Sequence, residues 1–350
     1  MKPMQMTQTT RMKCGRSGVS VFMRGAPFAA HAFVWLTLAA PTFGHAAEPL
    51  RGVAAARRAD APVAIAAWSD SALHVGDAEG RAFRSLPMDA IEALALDDDG
   101  TMLVVRSPRN GPAAGSVEVV LPDGRPRRVA TGSPRAVAAG AGVLAYVDDQ
   151  GQVQRSDDGG RSWSRVAVPK PCGDCDPALS GSSVDLAIGN GGELVAANVD
   201  WSTCTSRDIV EWQRVLRAPR RGAFAQASIV LSPEDDAAVW QVGAFGWAYG
   251  VSAAGRLLAT SGQATHALWR VRDDRRRLLL AQNGRGTVVL TSDGLLAVEG
   301  PKAIALDRNP PASIEALALD VRGRPLAIVS GDLVRFSRAS GWQKLVVQRP

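Results

Sequence analysis

The chain has 350 residues, with 40 Lys+Arg against 34 Asp+Glu, 35 glycines and four cysteines. That length allows one large domain or two ordinary ones. Five of the cations, Lys2, Arg11, Lys13, Arg16 and Arg24, lie in the first 46 residues and no acid does. The remainder therefore carries 35 cations against 34 anions, too even a balance for a nucleic-acid partner, which needs a basic face to neutralise phosphates.

The basic start leads into the apolar run "AFVWLTLAAPTF" (32–43) and then the small residues of "GHAAEP". Basic, apolar, small is the order of a secretory signal peptide. Residues 1–46 are expected to be removed before Ala47, with Met23 as an alternative start. The apolar run is short for a membrane span and no second one is long enough, so no span is expected after cleavage. This places residues 47–350 in the periplasm or outside the cell. Beyond residue 46 the only lysines are Lys170, Lys302 and Lys344; the arginine bias reads as genomic composition as readily as function.

From residue 47 onward the chain repeats itself. "IEALALD" occurs at Ile91–Asp97 and, letter for letter, at Ile314–Asp320. Each copy is followed by a Gly-containing turn and a buried β-rich run. Strand–turn–strand units begin near residues 71, 115, 151, 206, 246, 291 and 331. Seven four-stranded units would use almost all of the remaining chain, and this period is that of propeller blades. An all-β propeller in one domain, 47–350, is expected; six or eight blades are also compatible, and a pair of β-sandwiches is the alternative. Runs such as "TMLVVRS", "GVLAYVD", "ELVAANV" and "RLLLAQN" read as inner strands buried on both faces. "LDDDGT" (96–101) and "RDDRRR" (272–277) read as solvated hairpin tips.

The third unit holds "QRSDDGGRSWSRV" (154–166). Ser156, Asp158, Gly160, Ser162 and Trp163 fit Ser-x-Asp-x-Gly-x-Ser/Thr-Trp. A short carboxylate there can accept backbone N–H bonds within its own turn, and a glycine can take positive φ. The segment resembles the Asp-box, or bacterial neuraminidase repeat, of sialidases and of many non-enzymatic propellers. "RFSRASGWQKL" (335–345) looks like a shortened copy without the Asp. The resemblance implies a structural role for the box and no catalytic one. An EF-hand reading fails, because no twelve-residue loop ends in Glu.

A sialidase-like glycoside hydrolase would also need an arginine triad, a Tyr–Glu nucleophile pair and an Asp acid/base. Its Phe/Tyr-Arg-Ile/Leu-Pro signature has only "FRSLP" (83–87) as a counterpart, with one residue too many. Tyr146 and Tyr249 are the only tyrosines, and Tyr249 reads as a buried strand aromatic. His74 and His266 read as strand or rim residues. No Gly-x-Ser-x-Gly elbow or Lys-bearing phosphate loop occurs, so no cofactor and no metal are expected.

"PKPCGDCDP" (169–177) carries Cys172 and Cys175, and Cys204 follows in "VDWSTCTSRD". In an oxidising compartment a disulfide within this set is the plain reading; a three-thiolate site for a soft metal such as Cu(I), or thiol exchange, are the others. Trp201, Trp212 and Trp247 gather in the same region and are candidate binding residues. The functional expectation is an exported, non-catalytic platform that holds a protein or peptide at the rim or central funnel. Similar Asp-box propellers serve as assembly factors for membrane protein complexes, a photosystem II assembly family among them. The rivals are the sialidase-like hydrolase and periplasmic metal or thiol handling at the three cysteines.

Overall fold

In the computed structural model, residues 48–107, 115–169, 183–202, 210–229, 237–243, 247–252, 254–261, 264–271 and 278–347 are described. They contain 28 strands in seven antiparallel four-stranded sheets, each made of consecutive strands. Blades 1 to 7 span Gly52–Pro87, Ile91–Thr131, Ala136–Val166, Ser183–Ile229, Ala237–Arg270, Leu279–Asp307 and Ile314–Lys344. The fold is a seven-bladed β-propeller. The first strands line a central channel, and later strands step outward.

Up-and-down order sorts the connections onto two faces. First-to-second and third-to-fourth turns lie on one face, called lower here. Second-to-third turns and blade-to-blade connections lie on the other.

The two "IEALALD" copies occupy matching places as the first strands of blades 2 and 7. Both carry a bulge after the Ile, between Ile91 and Ala93 and between Ile314 and Ala316. Both then enter the same turn. The Asp97 carbonyl accepts from Gly100 N at 3.1 Å, and the Asp320 carbonyl from Gly323 N at 2.8 Å. The glycines stand at φ 84° and 77°, where a Cβ would clash with the backbone.

The unit boundaries need correction in two places. The segment at 206 supplies only the third strand of blade 4 (Val210–Ala218), and the segment at 246 supplies the second and third strands of blade 5 rather than its outer hairpin. The other five are third-and-fourth-strand hairpins. The strands buried along their whole length are second and third ones, such as Ile65–Trp68 and Val143–Val147, and Ala72–Gly76 and Ser116–Val120. "RLLLAQN" holds a first strand, Leu279–Asn283, with alternating burial, because one side of a first strand looks into the channel.

"LDDDGT" is no solvated tip. Asp97 is 2% exposed and accepts from Gly142 N at 3.1 Å in blade 3. Asp98 accepts from Ala141 N at 3.0 Å and from Arg57 N at 3.3 Å. The turn ties blades 1, 2 and 3 together. Residues 272–277 lie outside the described set.

Ring closure uses no strand exchange, since blade 1 and blade 7 each consist of consecutive strands. Leu50, Ile65 and Phe83 of the first blade region pack with Leu326, Ile328 and Leu333 of blade 7. Arg335 adds polar bonds, donating from Nη1 to Glu79 O at 2.9 Å and from Nη2 to Ala78 O at 3.1 Å. Both carbonyls belong to the third-to-fourth turn of blade 1.

The same device recurs around the lower face. Arg84 donates to Pro122 O, Arg127 to Gly159 O at 3.3 Å, Arg155 to Pro219 O at 3.2 Å and Arg217 to Ser261 O at 3.3 Å. Each arginine sits on a third or fourth strand and reaches the third-to-fourth turn of the next blade. The arginine-rich composition therefore has a structural use, which the sequence reading did not assign.

Candidate functional site

The channel is a poor ligand site. Its lining comes from first-strand triplets centred on Ala54, Ala95, Ala138, Ala187 and Ala318, and its volume is about 200 Å³. Arg57 crosses its lower mouth. The guanidinium donates to Gly189 O at 3.2 Å, to Asn190 Oδ1 at 3.4 Å and to Ile188 O, all in blade 4. Asn190 Nδ2 continues to Gly284 O of blade 6 at 3.4 Å. A polar bar thus runs across the lower mouth from blade 1 through blade 4 to blade 6.

The larger space is a lower-face cleft between blades 5 and 6, of about 690 Å³. That falls in the range of small-molecule and peptide side-chain sites, roughly 300–1,000 Å³; the channel does not reach it. The cleft opens at a blade boundary where the described residues show no arginine clasp. Trp247, from the first-to-second turn of blade 5, packs instead against Gly300, where a Cβ would meet its ring at 3.3 Å. Gly300 is in the third-to-fourth turn of blade 6 and so has no side chain to fill the gap.

Tyr249 and Val298 are buried and form the base, with Trp247 half-buried above them. Ile304, 64% exposed, stands on the outer strand of blade 6. Arg285, Glu299 and Lys302 give a rim with charges of both signs. His266, on the exposed outer strand of blade 5, lies 6.0 Å from Trp247 between ring centroids. An aromatic and aliphatic base under a mixed-charge rim can bury an apolar side chain while bonding polar groups beside it.

Of the candidate binding residues, Trp247 is in this cleft. Trp201 and Trp212 are not. They lie in the second and third strands of blade 4, where Trp201 pairs with Glu211 and Trp212 with Asp200. This is the end next to the second-to-third connection, so they belong to the upper face. Their side chains lie outside the described set. Cys172, Cys175 and Cys204 also lie outside it. Among the described residues, no group of three or more His, Cys, Asp or Glu is placed to hold a metal ion.

The motif at 156–163 forms one lower-face turn. Ser156 Oγ donates to Asp158 Oδ1 at 2.7 Å and accepts from Gly160 N at 2.8 Å. Asp158 also accepts from Ser162 N at 2.9 Å and from Ser162 Oγ at 2.6 Å. These bonds, the Ser162 hydroxyl foremost, hold its carboxyl far below the usual carboxylate range. Trp163 Nε1 donates back to Gly160 O at 3.0 Å, and its ring meets Tyr146 edge-on at 5.0 Å.

The blade 7 counterpart differs. Ser337 and Ser340 hydroxyls bond each other at 2.6 Å, and Trp342 Nε1 turns to Asp307 Oδ2 of blade 6 at 2.9 Å. Without the Asp, the Trp bonds across blades instead of within its turn.

Tyr249 is 2% exposed and Tyr146 7%. Burial raises both phenols above the ordinary tyrosine range. His74 is buried on the third strand of blade 1 with Nδ1 2.8 Å from Ser85 Oγ. "FRSLP" is the fourth strand of that blade. Sequence reasoning missed Ile304, Glu299, Lys302 and Arg57. None has a motif: the cleft residues come from turns of two adjacent blades, and Arg57 reaches Gly189 of blade 4 only because the ring closes.

No family model matches the chain, and no curated protein matches it. Solved structures match at the level of fold. YCF48 bound to D1 peptide has 12% identity and a TM-score of 0.50, over 83% of this chain and 92% of that one. The propeller domain of the Trilobed protease from Pyrococcus furiosus, described as having an open velcro topology, has 9% identity and a TM-score of 0.53, over 87% and 100%. The GH74 xyloglucanase from Xanthomonas campestris has 12% identity and a TM-score of 0.54, over 87% of this chain and 55% of that one. The class is that of the seven-bladed β-propellers.

Proposed function

We propose that this propeller is an exported, non-catalytic platform that binds a protein or peptide partner in the Trp247 cleft. The observation that carries the reading is the cleft itself: an open space of about 690 Å³ with Trp247, Tyr249 and Ile304 at its base and side. Trp offers a large, rigid contact area and is enriched among the residues that dominate binding energy at protein interfaces. A structural neighbour solved with a peptide bound supports the same use of the scaffold.

The burial of both tyrosines supports the non-catalytic side of the proposal. A tyrosine nucleophile has to reach substrate as a phenolate, and burial opposes that ionisation at Tyr146 and Tyr249. Export rests on the basic, apolar, small-residue order of residues 1–46. No helix of the described residues is long and apolar enough to cross a membrane.

The test is to pan a random peptide library on the immobilised full-length protein and measure the selected peptides against Trp247→Ala and Ile304→Asp. We expect selected peptides to lose at least about tenfold in affinity for Trp247→Ala. Peptides that bind both variants as well as the parent would sink the cleft. A fluorogenic sialoside assay runs beside it, and turnover abolished by Tyr249→Phe or Tyr146→Phe would replace the platform with a hydrolase. Intact mass from the exported fraction is expected to start near Ala47.

A further inference from the structure

A small pocket opens on the upper face between blades 2 and 3. Its volume is about 180 Å³, below the roughly 300–1,000 Å³ of drug-sized sites, so it takes a group the size of one side chain. Val117 and Ala130, from the third and fourth strands of blade 2, and Pro134, from the connection into blade 3, give it apolar walls. Tyr146, from the second strand of blade 3, packs with Val117 and Ala130 across the blade boundary. Asp148 and Asp149, in the turn that follows, stand at the mouth.

The charge of the pocket is unbalanced. No cation lines it, and neither Asp148 nor Asp149 forms an ion pair among the described residues. Asp148 Oδ1 accepts from Gln150 N at 3.0 Å and from Gln152 N at 2.8 Å, which leaves Oδ2 uncommitted. Asp149 is exposed, and its carboxylate stands over Gly132, where an added Cβ would lie 3.6 Å from Oδ2. Arg135 reaches the same turn but donates to the Asp149 carbonyl, from Nη2 at 3.1 Å. Arg165 shares a cross-strand row with Tyr146, two strands further out, and does not line the pocket.

Tyr146 is the second, independent observation. It is 7% exposed, yet its hydroxyl makes no hydrogen bond with the described residues and is not sealed from solvent. Leaving a largely buried hydroxyl unpartnered costs free energy, and this one opens into the pocket that its ring lines. Burial foremost, and then the nearby Asp148 carboxylate, hold the phenol above the ordinary tyrosine range. It stays neutral, with its oxygen free to accept.

We propose that this pocket binds a primary alkylammonium group. Such a group brings one positive charge and three N–H donors, to meet the Asp148 and Asp149 carboxylates and the Tyr146 oxygen. Its alkyl stem packs on Val117, Ala130 and Pro134. Charge-assisted bonds of this kind are the strong ones. A calcium ion takes roughly six to eight oxygen ligands, more than these side chains supply, and would leave the apolar walls unused. The ammonium comes from a free alkylamine or from a lysine side chain of a peptide. The pocket shares no residue with the Trp247 cleft, lies on the other face and stands independently of it.

The experiment uses the full-length chain. Calorimetric titration with n-butylamine hydrochloride is compared with n-butanol, its neutral counterpart in shape, and with calcium chloride, at matched ionic strength and neutral pH. A blocked tripeptide with lysine at its centre is compared with the same peptide acetylated on that lysine. The measurements are repeated on Asp149→Asn and on Tyr146→Phe, after checking that each unfolds at the parental temperature. Asp149 is exposed, and Phe keeps the ring that meets Trp163, so both variants are expected to fold.

We expect saturable binding of butylamine, weakened at least about tenfold by Asp149→Asn and about threefold by Tyr146→Phe. Butylamine bound at least as tightly as the lysine peptide assigns the pocket to a free amine. Tighter binding of the lysine peptide, lost on acetylation, assigns it to a peptide side chain. Butanol bound as well as butylamine, calcium bound in place of the amine, or peptide binding that survives acetylation would each overturn the proposal. So would no saturation of any amine by roughly 10 mM, or either variant binding like the parent.

Discussion

Arg335 Nη1 of blade 7 donates to Glu79 O of blade 1 at 2.9 Å, joining residues 256 positions apart. This bond closes the ring at a seam that no shared strand crosses. Arg335 is only 9% exposed and its Nε lies 3.2 Å from Asp320 Oδ2, so removal takes out two carbonyl bonds and one buried ion contact. Arg335→Ala is expected to cost about 3 kcal/mol in urea unfolding. Arg127→Ala, at the exposed clasp on Gly159 O, is expected to cost under about 1 kcal/mol. Equal losses would mean that the seam is no weaker than any other blade boundary.

Burial raises the Asp97 carboxyl to about 6, and likewise Asp185, whose Oδ2 accepts from Val242 N of the next blade at 2.7 Å. The unfolded values lie near 4, so between roughly pH 4 and 6 the folded state binds more protons than the unfolded one. Stability contributed by these groups therefore falls as pH rises through that window. Asp97→Asn is expected to reduce the difference in unfolding free energy between pH 5 and pH 7, and Asp97→Asn/Asp185→Asn to reduce it further. Denaturant titrations at the two values check this, and an unchanged slope in the double variant would refute it.

Asp158 behaves in the opposite sense. Its carboxyl is held low by the Ser162 and Ser156 bonds, so its contribution is present above the ordinary carboxylate range and is lost as pH falls below it. Asp158→Ala is expected to speed amide exchange at Gly160 and Ser162 at pH 7. The gap between variant and parent should narrow towards pH 3. Exchange rates equal to the parent at pH 7 would show that the serine hydroxyls hold the turn alone.

The two glycines of that turn make an internal comparison. Gly159 has φ 68° and open space around a built Cβ, whereas at Gly160, φ 80°, a Cβ would lie 2.6 Å from Val119 Cγ2 of blade 2. Gly159→Ala is expected to cost only about 1 kcal/mol of left-handed strain. Gly160→Ala adds overpacking against a buried valine, a further 1–3 kcal/mol or so. Chemical denaturation of the two variants reads the difference directly.

Much of the fold was legible because it is local. The "IEALALD" copies, the Gly-bearing turns and the apolar runs state strands and hairpins in consecutive residues, and five of the seven units coincide with outer hairpins of the blades. The 156–163 turn was legible for the same reason: its donors and acceptors lie within seven positions of one another. Identical local sequence still left the outcome of one residue open. Asp97 and Asp320 end the same heptapeptide, yet Asp97 reaches forward to Gly142 N in the next blade. Asp320 instead accepts from Arg322 N and Arg324 N, both at 2.9 Å, in its own turn.

The sequence alone thus determined the all-β class, the repeated strand–turn–strand unit and its turn chemistry, since each depends on neighbours along the chain. The tertiary structure decided which residues meet across blades. Arg57 bars the channel, Trp247 faces Gly300 and Ile304 across one cleft, and Arg155 of blade 3 and Arg220 of blade 4 share Asp157. Those contacts follow from how each blade is rotated against the next around the ring. That rotation is set by the packing of whole sheets, and no short window of sequence records it.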